Sequence, residues 1–377
     1  MTIICFSHLR WNFVYQRPQH LLSRFAKDNL VYYIEEAVVI SELSKLEVVQ
    51  TDGIVVITPH VMANEPLGVL ATTATLISDW FNASVTGRFM FWFYTPMAIE
   101  FCKVLPKPDL IIYDCMDELS AFRFAPPDLK KNEALLFEQA DVVFTGGVKL
   151  FKAKQKFHKN IYAFPSSIDK KHFGAARSTE TFPPEYEKIA KPRVGFFGVI
   201  DERFDISLLE SLATLRPDLQ LVIIGPVVKI DPSTLPSNPN IHYLGSKTYN
   251  ELPLHLAAWN VAIIPFAINE STRFISPTKT PEYLAGGKPV VSTPIHDVIT
   301  PYSDKGLVFI AGDAAGFAKG IDWAMEVAKK PAWLKAVDEE LATMSWDQTF
   351  TDMVNIINDS LKAKQSEELK TTIDEYV

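Results

Sequence analysis

Short apolar segments rich in β-formers alternate with longer helical patterns along the chain, and this alternation most limits what the chain can fold into. Strand–helix–strand alternation favours parallel sheets covered by helices on both faces. In the first half the pattern predicts helices such as residues 18–27 and 127–140. The predicted strands there are residues 2–6, 30–34, 54–58, 89–93, 110–113, 142–145 and 161–164.

The alternation then starts a second time, at Arg193. The pattern therefore predicts an α/β fold of two Rossmann-like, doubly wound domains that face each other across a cleft, in a chain whose 377 residues suit two cores. We expect residues 1–165 to form the first domain, 166–192 a linker, and 193–349 the second domain, with the helical segment 350–377 packing back on the first. The predicted strands of the second series are residues 193–198, 221–225, 241–244, 261–265, 289–293 and 307–310.

Composition and charge exclude several classes of protein. The net charge of −8 argues against a general nucleic-acid binder. The cysteines Cys5, Cys102 and Cys115 show no C-x-x-C spacing, which predicts reduced thiols and indicates neither zinc nor a disulfide framework. No apolar run approaches the roughly 18 residues of a membrane span, and the first residues are typical of a strand and not of a signal peptide. These features predict a cytoplasmic protein.

Residues 276–292 are typical of a loop, a short helix, a glycine stop and a buried strand. The expected helix cap is Ser276 or Thr280, because a proline follows each of them. The pair Gly286 and Gly287 is the expected end of the helix. The apolar run that begins at Pro289 suits a strand of a parallel sheet.

The start of this predicted helix has the chemistry of an anion site. Lys279 lies beside backbone N–H groups that a helix leaves unpaired. Glu282 follows about one turn later and can face the same ligand. Ammonium and N–H groups suit a diphosphate, and the carboxylate suits ribose hydroxyls. The alternative is an ordinary capped helix with a surface lysine.

Several segments in a fixed order carry a family resemblance. The second half of the chain resembles the nucleotide-sugar-dependent glycosyltransferases of the GT-B fold, in particular the group 1 or family-4-like enzymes of bacterial polysaccharide type. The likeness covers residues 190–350 well and the first half more loosely, through residues 13–22 and 113–121. The segments are Phe196–Gly198 with Asp201–Arg203, then residues 221–225, 240–246, 249–253, 262–266, 277–293 and 345–347.

The resemblance implies a glycosyltransferase that moves a hexose from a UDP- or GDP-linked sugar to a saccharide or lipid-linked acceptor. It also implies donor ribose and base contacts from Glu282, Gly198, Tyr249 and His242. One position departs from the family pattern. The family usually has two glutamates with seven residues between them. At the position of the first, this chain has Phe274, so the contact to the donor sugar differs.

The reaction needs positive charge near the leaving diphosphate. Its transition state is oxocarbenium-like, and a well-placed donor to the developing charge contributes about 3 kcal/mol. The chain contains no Asp-x-Asp motif that could hold a metal. We therefore expect no metal or other cofactor, in agreement with the resemblance. The diphosphate contacts would come from protein groups, namely Arg203, Arg273, Thr278 and Lys279. For Arg203 the alternative is a local ion-pair cluster with Asp201 and Asp205, and for Arg273 it is a solvated loop charge.

Polar side chains that follow predicted strands of the first domain are the candidate catalytic groups. Asp117 follows strand 110–113 and is the favoured base for an inverting mechanism, with Asp114 as its structural partner. The alternative is that either carboxylate caps the next helix. His8 follows the first strand, and we predict a catalytic role for it as well. Its alternative is a surface loop.

The segment after His8 supplies the predicted acceptor-side contacts. These are Trp11, Gln16 and Arg17. Farther along, residues 149–159 contain five lysines and no acid. Lys149, Lys152 and Lys156 are therefore candidates for peripheral contact with the anionic inner face of a membrane, which would give access to a lipid-linked acceptor. The alternative is a solvated helix face.

Two other functions share the two-domain architecture. A non-hydrolysing nucleotide-sugar epimerase would need more acids in the cleft, and a non-catalytic nucleotide-sugar-binding partner protein stays open because of Phe274. A dehydrogenase fits less well, since no strand is followed by G-x-G-x-x-G. The donor sugar, the nucleotide base, the acceptor, the stereochemical outcome and the oligomeric state stay open at this point.

Overall fold

A computed structural model describes residues 1–375 and shows two mostly parallel sheets, one in each half of the chain. The first sheet has the strand order β3-β5-β2-β1-β6-β7-β8-β9, and β4 pairs with β5 at one edge. All of its pairings are parallel except β4–β5. The strands are β1 (Thr2–Ser7), β2 (Leu30–Glu35), β3 (Val38–Ile40), β4 (Lys45–Thr51), β5 (Ile54–Met62), β6 (Phe89–Phe93), β7 (Leu110–Cys115), β8 (Val142–Thr145) and β9 (Ile161–Ala163).

The second sheet is parallel throughout and has the order β12-β11-β10-β13-β14-β15. In both sheets the strand order reverses next to the first strand of the domain, which is where a doubly wound fold opens a crevice for ligands. The expected α/β class with two Rossmann-like domains is therefore confirmed. The strands are β10 (Arg193–Phe197), β11 (Gln220–Ile224), β12 (Ile241–Tyr243), β13 (Val261–Ile264), β14 (Val290–Ser292) and β15 (Val308–Ile310).

Helices cover both sheets, and short 3-10 turns join several of the elements. Within residues 1–375 the α-helices are α1 (Arg17–Phe25), α2 (Val69–Ser84), α3 (Leu129–Gln139), α4 (Val148–Lys154), α5 (Lys170–Gly174), α6 (Ile206–Leu215), α7 (Leu252–Ala257), α8 (Lys279–Ala285), α9 (His296–Ile299), α10 (Ala314–Val327), α11 (Pro331–Leu341) and α12 (Trp346–Glu375). The predicted final helical segment, 350–377, falls on α12. Its residues 376 and 377 lie outside the described part of the chain.

The strands form where the sequence has continuous apolar runs, because both faces of a parallel sheet are buried. All six residues of β1 and all five of β10 are buried. Each sheet has its own hydrophobic core, and the first domain has one on each face of its sheet. Cys5 and Cys115 lie buried as free thiols, as expected, whereas the side chain of Cys102 lies outside the described part.

The last helix returns to the first domain. Trp346, Met353 and Ile357 of α12 lie in the same core cluster as Ile3 and Leu22. The indole ring of Trp346 also stacks on the imidazole of His20, with 4.5 Å between ring centroids. The apolar face of this helix thus packs on the core of the first domain and not on that of the second.

A hairpin at the edge of the first sheet was not predicted. Strands β4 and β5 pair antiparallel, with Thr51 opposite Ile54. The two residues between them, Asp52 and Gly53, have φ values of 50° and 78°. These values match the two-residue turn that Asp-Gly favours, so the dipeptide was a usable signal in the sequence.

The two domains contact each other through a few polar groups. The Asp297 carboxylate, on α9, accepts hydrogen bonds from the backbone N–H groups of Val148 and Lys149 at 2.8 and 3.2 Å. The Ser166 hydroxyl donates to the Ser276 carbonyl at 2.6 Å. These contacts join the start of α4 and the linker to the second domain. In residues 1–375, no helix is both long and apolar enough to cross a membrane.

Central strand β10 contains a glycine that packing requires. A Cβ atom at Gly195 would overlap the ring of Trp259. We expect Gly195→Ala to lower the free energy of unfolding by about 1–3 kcal/mol, because the core must move to accept the methyl group. Urea unfolding monitored by tryptophan fluorescence measures this change. The matched control is Gly312→Ala, where a Cβ has open space; equal stabilities of the two variants would contradict the packing argument.

Candidate functional site

A cavity of about 850 Å³ lies between the two domains. Its first-domain wall is the loop after β1 and the start of α1, together with Asp52 of the β4–β5 hairpin. Its second-domain wall is formed by the carboxyl ends of β10 and β11, the loop after β12 and the start of α8. The cavity therefore occupies the crevice where ligands of doubly wound sheets bind. Of the predicted site residues, its lining includes Trp11, Gln16, Gly198, Arg203, Tyr249, Thr278, Lys279 and Glu282.

The floor of the cavity is backbone, because two strand ends approach closely. Gly198 and Gly225 follow β10 and β11 and have φ values of 145° and 143°. A Cβ at Gly225 would overlap the carbonyl oxygen of Gly198, and a Cβ at Gly198 would overlap the Cε atom of Lys279. Glycine is needed at both positions for conformation and for space. Gly198 therefore lets the Lys279 side chain extend across the floor of the cavity.

Lys279 and Glu282 line the cavity without side-chain partners. Within residues 1–375 neither side chain forms a hydrogen bond or an ion pair. The ammonium of Lys279 lies 5.7 and 5.5 Å from the ring centroids of Phe196 and Phe266. Burial and then the Arg203 charge lower the pKa of Lys279. Burial raises the pKa of Glu282, although the Lys279 charge opposes the rise.

The helix that carries these two residues starts between the two predicted positions. Helix α8 begins at Lys279 after Thr278, and neither Ser276 nor Thr280 is its cap. Its end is as predicted, because Lys288 N–H donates to the Tyr283 carbonyl at 2.9 Å and Gly287 N–H to the Leu284 carbonyl at 2.8 Å. This Schellman pattern uses Gly287 in a left-handed conformation.

Arg203 lines the cavity but already has a partner. Its Nη2 atom lies 2.6 Å from the Asp201 carboxylate, and its Nε donates to the same group at 2.9 Å. Its guanidinium also lies 5.2 Å from the centroid of the Phe122 ring of the first domain. Asp205 is not part of this cluster, since it caps α6 through Leu208 N–H at 2.9 Å. The local ion pair considered as an alternative is therefore present beside the cavity.

Two predicted donor contacts lie elsewhere. Arg273 has a side chain that is 56% exposed, lies 3.6 Å from Glu270, and does not line the cavity. The imidazole of His242 bonds the Gln220 side chain at 2.8 Å and is also outside the lining. The structure therefore does not support the predicted diphosphate role of Arg273 or base role of His242. Arg273 lies in the irregular segment before α8, and His242 lies within β12.

Tyr249 lies at the cavity, but both faces of its ring are covered. Its ring stacks on Tyr15 at 4.4 Å and on His172 at 4.1 Å between centroids. The predicted base contact therefore cannot be face-on stacking while Tyr15 keeps this position. Tyr15 and the neighbouring Phe13 are 40% and 48% exposed and line the first-domain wall. Neither ring is among the predicted site residues, although both follow the first strand and precede a helix that has a proline in its first turn.

Arg17 is a structural residue and not an open acceptor contact. Its Nε donates to both oxygens of the Asp114 carboxylate at 3.0 Å, and its Nη1 donates to the Phe164 carbonyl at 2.8 Å. Both side chains are buried, and Arg17 does not line the cavity. Asp114 thus has a structural role, but its partner is Arg17 and not Asp117 as predicted.

Asp117 and His8 are both half-buried. Burial raises the pKa of Asp117 to about 6, against the opposing charges of Arg203, Arg17 and Lys279. The carboxylate is therefore mostly ionised at neutral pH. Burial lowers the pKa of His8 to about 4, so its imidazole is neutral, and its Nδ1 atom has no hydrogen-bond partner within residues 1–375. Neither residue is part of the cavity lining.

The described residues contain no cluster of three or more His, Cys, Asp or Glu side chains placed to hold a metal ion. The basic residues in the lining are Arg203, Lys247 and Lys279. Arg203 pairs with Asp201 and Lys247 pairs with Glu185, both at 2.6 Å, which leaves Lys279 as the lining cation without an ion pair in the described chain. The arrangement can therefore bind an anion beside a carboxylate that accepts hydrogen bonds.

Comparisons with known proteins agree with this geometry. Residues 191–326 match the model of the family "Glycosyl transferases group 1". A putative teichuronic acid biosynthesis glycosyltransferase, TuaH, of Bacillus subtilis is 24% identical over 238 residues, which are 58% of this chain and 59% of that protein. The chain thus matches less than two thirds of this curated relative.

Solved structures of similar fold span nearly the whole chain. Sucrose-phosphate synthase from Thermosynechococcus elongatus has a TM-score of 0.66 at 14% identity, with coverage of 96% of this chain and 99% of that one. Anabaena HepE in complex with UDP and glucose has a TM-score of 0.65 at 13% identity, with coverage of 94% and 99%. Residues 191–326 are thus similar to the group 1 glycosyltransferases, and the whole chain has the GT-B fold of these solved structures.

Proposed function

We propose that the protein is a glycosyltransferase that moves a hexose from a nucleoside-diphosphate sugar to an acceptor in polysaccharide or glycoconjugate synthesis, without a bound metal. The observation that carries this proposal is the pair Lys279 and Glu282, which both line the interdomain cavity and have no hydrogen-bond or ion-pair partner among the described side chains. A buried charge without a partner is costly. The arrangement therefore fits a ligand that brings both an anion and hydroxyl groups.

The donor would bind to the second-domain wall. Its diphosphate would lie on the backbone floor at Gly198, where the Lys279 ammonium can neutralise the charge that develops on the leaving group. Glu282 would accept hydrogen bonds from the ribose. The solved structure of Anabaena HepE contains UDP and glucose, and another structure of this fold, from E. coli, contains UDP-2-fluoro glucose. UDP-glucose is therefore the first donor to test.

The acceptor would bind to the first-domain wall. This wall presents the exposed rings of Phe13 and Tyr15 and the amide of Asn12. Among its lining residues in the described chain, none is basic and Asp52 is acidic. Aromatic faces and uncharged polar groups suit the hydroxyls and C–H faces of a saccharide. A lipid-linked saccharide would present the same group, and Lys149, Lys152 and Lys156 would then rest on the membrane.

The transfer reaction itself tests the function. We expect UDP release from UDP-hexoses to rise when a saccharide acceptor is added, and EDTA to leave the rate unchanged because protein cations supply the charge. A coupled assay for UDP measures both. An epimerase would interconvert sugars without acceptor, and a non-catalytic partner would bind UDP but release none. A strict requirement for Mn²⁺ or Mg²⁺ would contradict the metal-free mechanism.

The diphosphate contact is tested by removing the ammonium. We expect Lys279→Met to weaken UDP binding about tenfold to a hundredfold, through the loss of a charge-assisted contact of about 1.5–3 kcal/mol. Isothermal titration calorimetry gives the affinity. Arg273→Met is the control, since the exposed Arg273 lies outside the cavity and its loss should change affinity by less than twofold. Equal effects of the two variants would exclude a specific role for Lys279.

A role of Asp117 as base predicts a defined pH dependence. Its pKa is raised to about 6, so the ionised form that accepts a proton is lost as pH falls through 6. We expect kcat/KM of the wild type to fall below pH 6. Asp117→Asn should lower kcat by about 10²–10⁴-fold while UDP affinity stays within twofold. Glu138→Gln, which changes an exposed carboxylate on α3, is the control. Full activity of Asp117→Asn would exclude this base.

A further inference from the structure

One lysine of the basic segment 149–159 points inward. Lys154, the last residue of α4, is 5% exposed, whereas Lys152 and Lys156 are exposed. Its Nζ atom lies 2.7 Å from Glu118 Oε2 and 2.8 Å from Glu133 Oε2. The segment is therefore not a uniform solvated face, and Lys154 belongs to a buried ion network.

This network is anchored on three elements of the first domain. The Tyr113 hydroxyl, near the end of β7, donates to Glu133 Oε1 at 2.9 Å, and the Cys115 thiol lies 3.8 Å from the same oxygen. Glu133 is buried on α3. Burial alone would lower the pKa of Lys154, but the surrounding acidic groups raise it, so the ammonium stays charged. Two carboxylates on different elements therefore share one buried cation.

The network lies directly beneath the turn that carries Asp117. The Cys115 thiol donates to the Asp117 carbonyl at 3.6 Å. Glu118, the next residue, binds Lys154 through Oε2 and accepts a hydrogen bond from the Ser120 hydroxyl through Oε1 at 2.7 Å. The Asp117 carboxylate itself forms no hydrogen bond or ion pair within residues 1–375. Its position is thus set by the backbone on either side of it.

We propose that Lys154 is a positioning residue, which holds Asp117 beside the cavity by pairing with Glu118 and so fixing residues 115–118. The role of Lys154 in the reaction rests on the proposed function, because it acts through Asp117. The role of Lys154 in fixing residues 115–118 does not rest on the proposed function, because it follows from contacts in the ligand-free protein. Lys154 acts through the turn and does not touch the cavity.

The mildest test removes the pairing charge of Glu118. Glu118→Gln keeps the side-chain shape and leaves the Lys154–Glu133 pair in place. We expect faster amide hydrogen exchange confined to residues 116–121 of the ligand-free protein. We also expect kcat for transfer from UDP-glucose, or from whichever UDP-hexose the donor screen selects, to fall about tenfold to a hundredfold, with UDP affinity within twofold. Glu138→Gln, exposed on the same helix as Glu133, should change neither quantity.

Lys154→Met is the stronger variant, with Lys130→Met on the exposed surface of α3 as its control. If Lys154→Met does not fold, Glu118→Gln alone decides. Unchanged exchange at residues 116–121 in Glu118→Gln overturns the proposal, whatever happens to kcat. If Asp117→Asn is inactive, faster exchange with a normal kcat in Glu118→Gln overturns the role of Lys154 in the reaction. If Asp117→Asn is fully active instead, the proposed base is wrong, while faster exchange still establishes that the network fixes the turn.

Discussion

The site depends on the close approach of two strand ends. Gly198 and Gly225 bring the ends of β10 and β11 together without side chains, and the space that they leave is occupied by the stem of Lys279. The Lys279 ammonium can therefore lie at the carboxyl edge of the sheet, in the lining of the cavity. A residue larger than glycine at either position would displace the backbone or the lysine. The same two glycines are therefore needed for the packing of the strands and for the anion site.

Some charged side chains around the cavity form ion pairs and others do not. The paired groups stabilise the first domain, whereas the unpaired groups are the candidates for ligand binding. Arg17 with Asp114 and Lys154 with Glu118 are buried pairs that fix the first domain. Breaking such a pair leaves an uncompensated buried charge, which costs about 3–5 kcal/mol. Lys279 has no ion-pair partner in the described chain, and burial lowers its pKa. In the proposed function, the diphosphate of the donor would supply the missing negative charge.

Local sequence signals predicted the fold well because parallel strands need long apolar runs and helices end at glycine. The strands 89–93 and 142–145 and the Gly286–Gly287 stop agree with the structure. Side-chain directions were less predictable. The sequence around Arg273 and Lys154 does not distinguish them from other surface cations. Tertiary packing leaves the Arg273 side chain exposed and buries that of Lys154. The place of Lys279 in the cavity lining was predictable because it starts a helix, whereas the two rings that cover the faces of Tyr249 were not.

The contacts between the domains near the cavity include both polar groups and aromatic rings. Asp297 caps α4, Ser166 bonds Ser276, and the ring of Tyr15 stacks on that of Tyr249. Interfaces of this kind allow relative motion of domains. A donor on the second-domain wall and an acceptor on the first would therefore add contacts across the same gap. Because the Tyr15 ring covers one face of Tyr249, any ligand that stacks on that face must displace Tyr15, which couples occupancy of the cavity to the loop that would hold the acceptor.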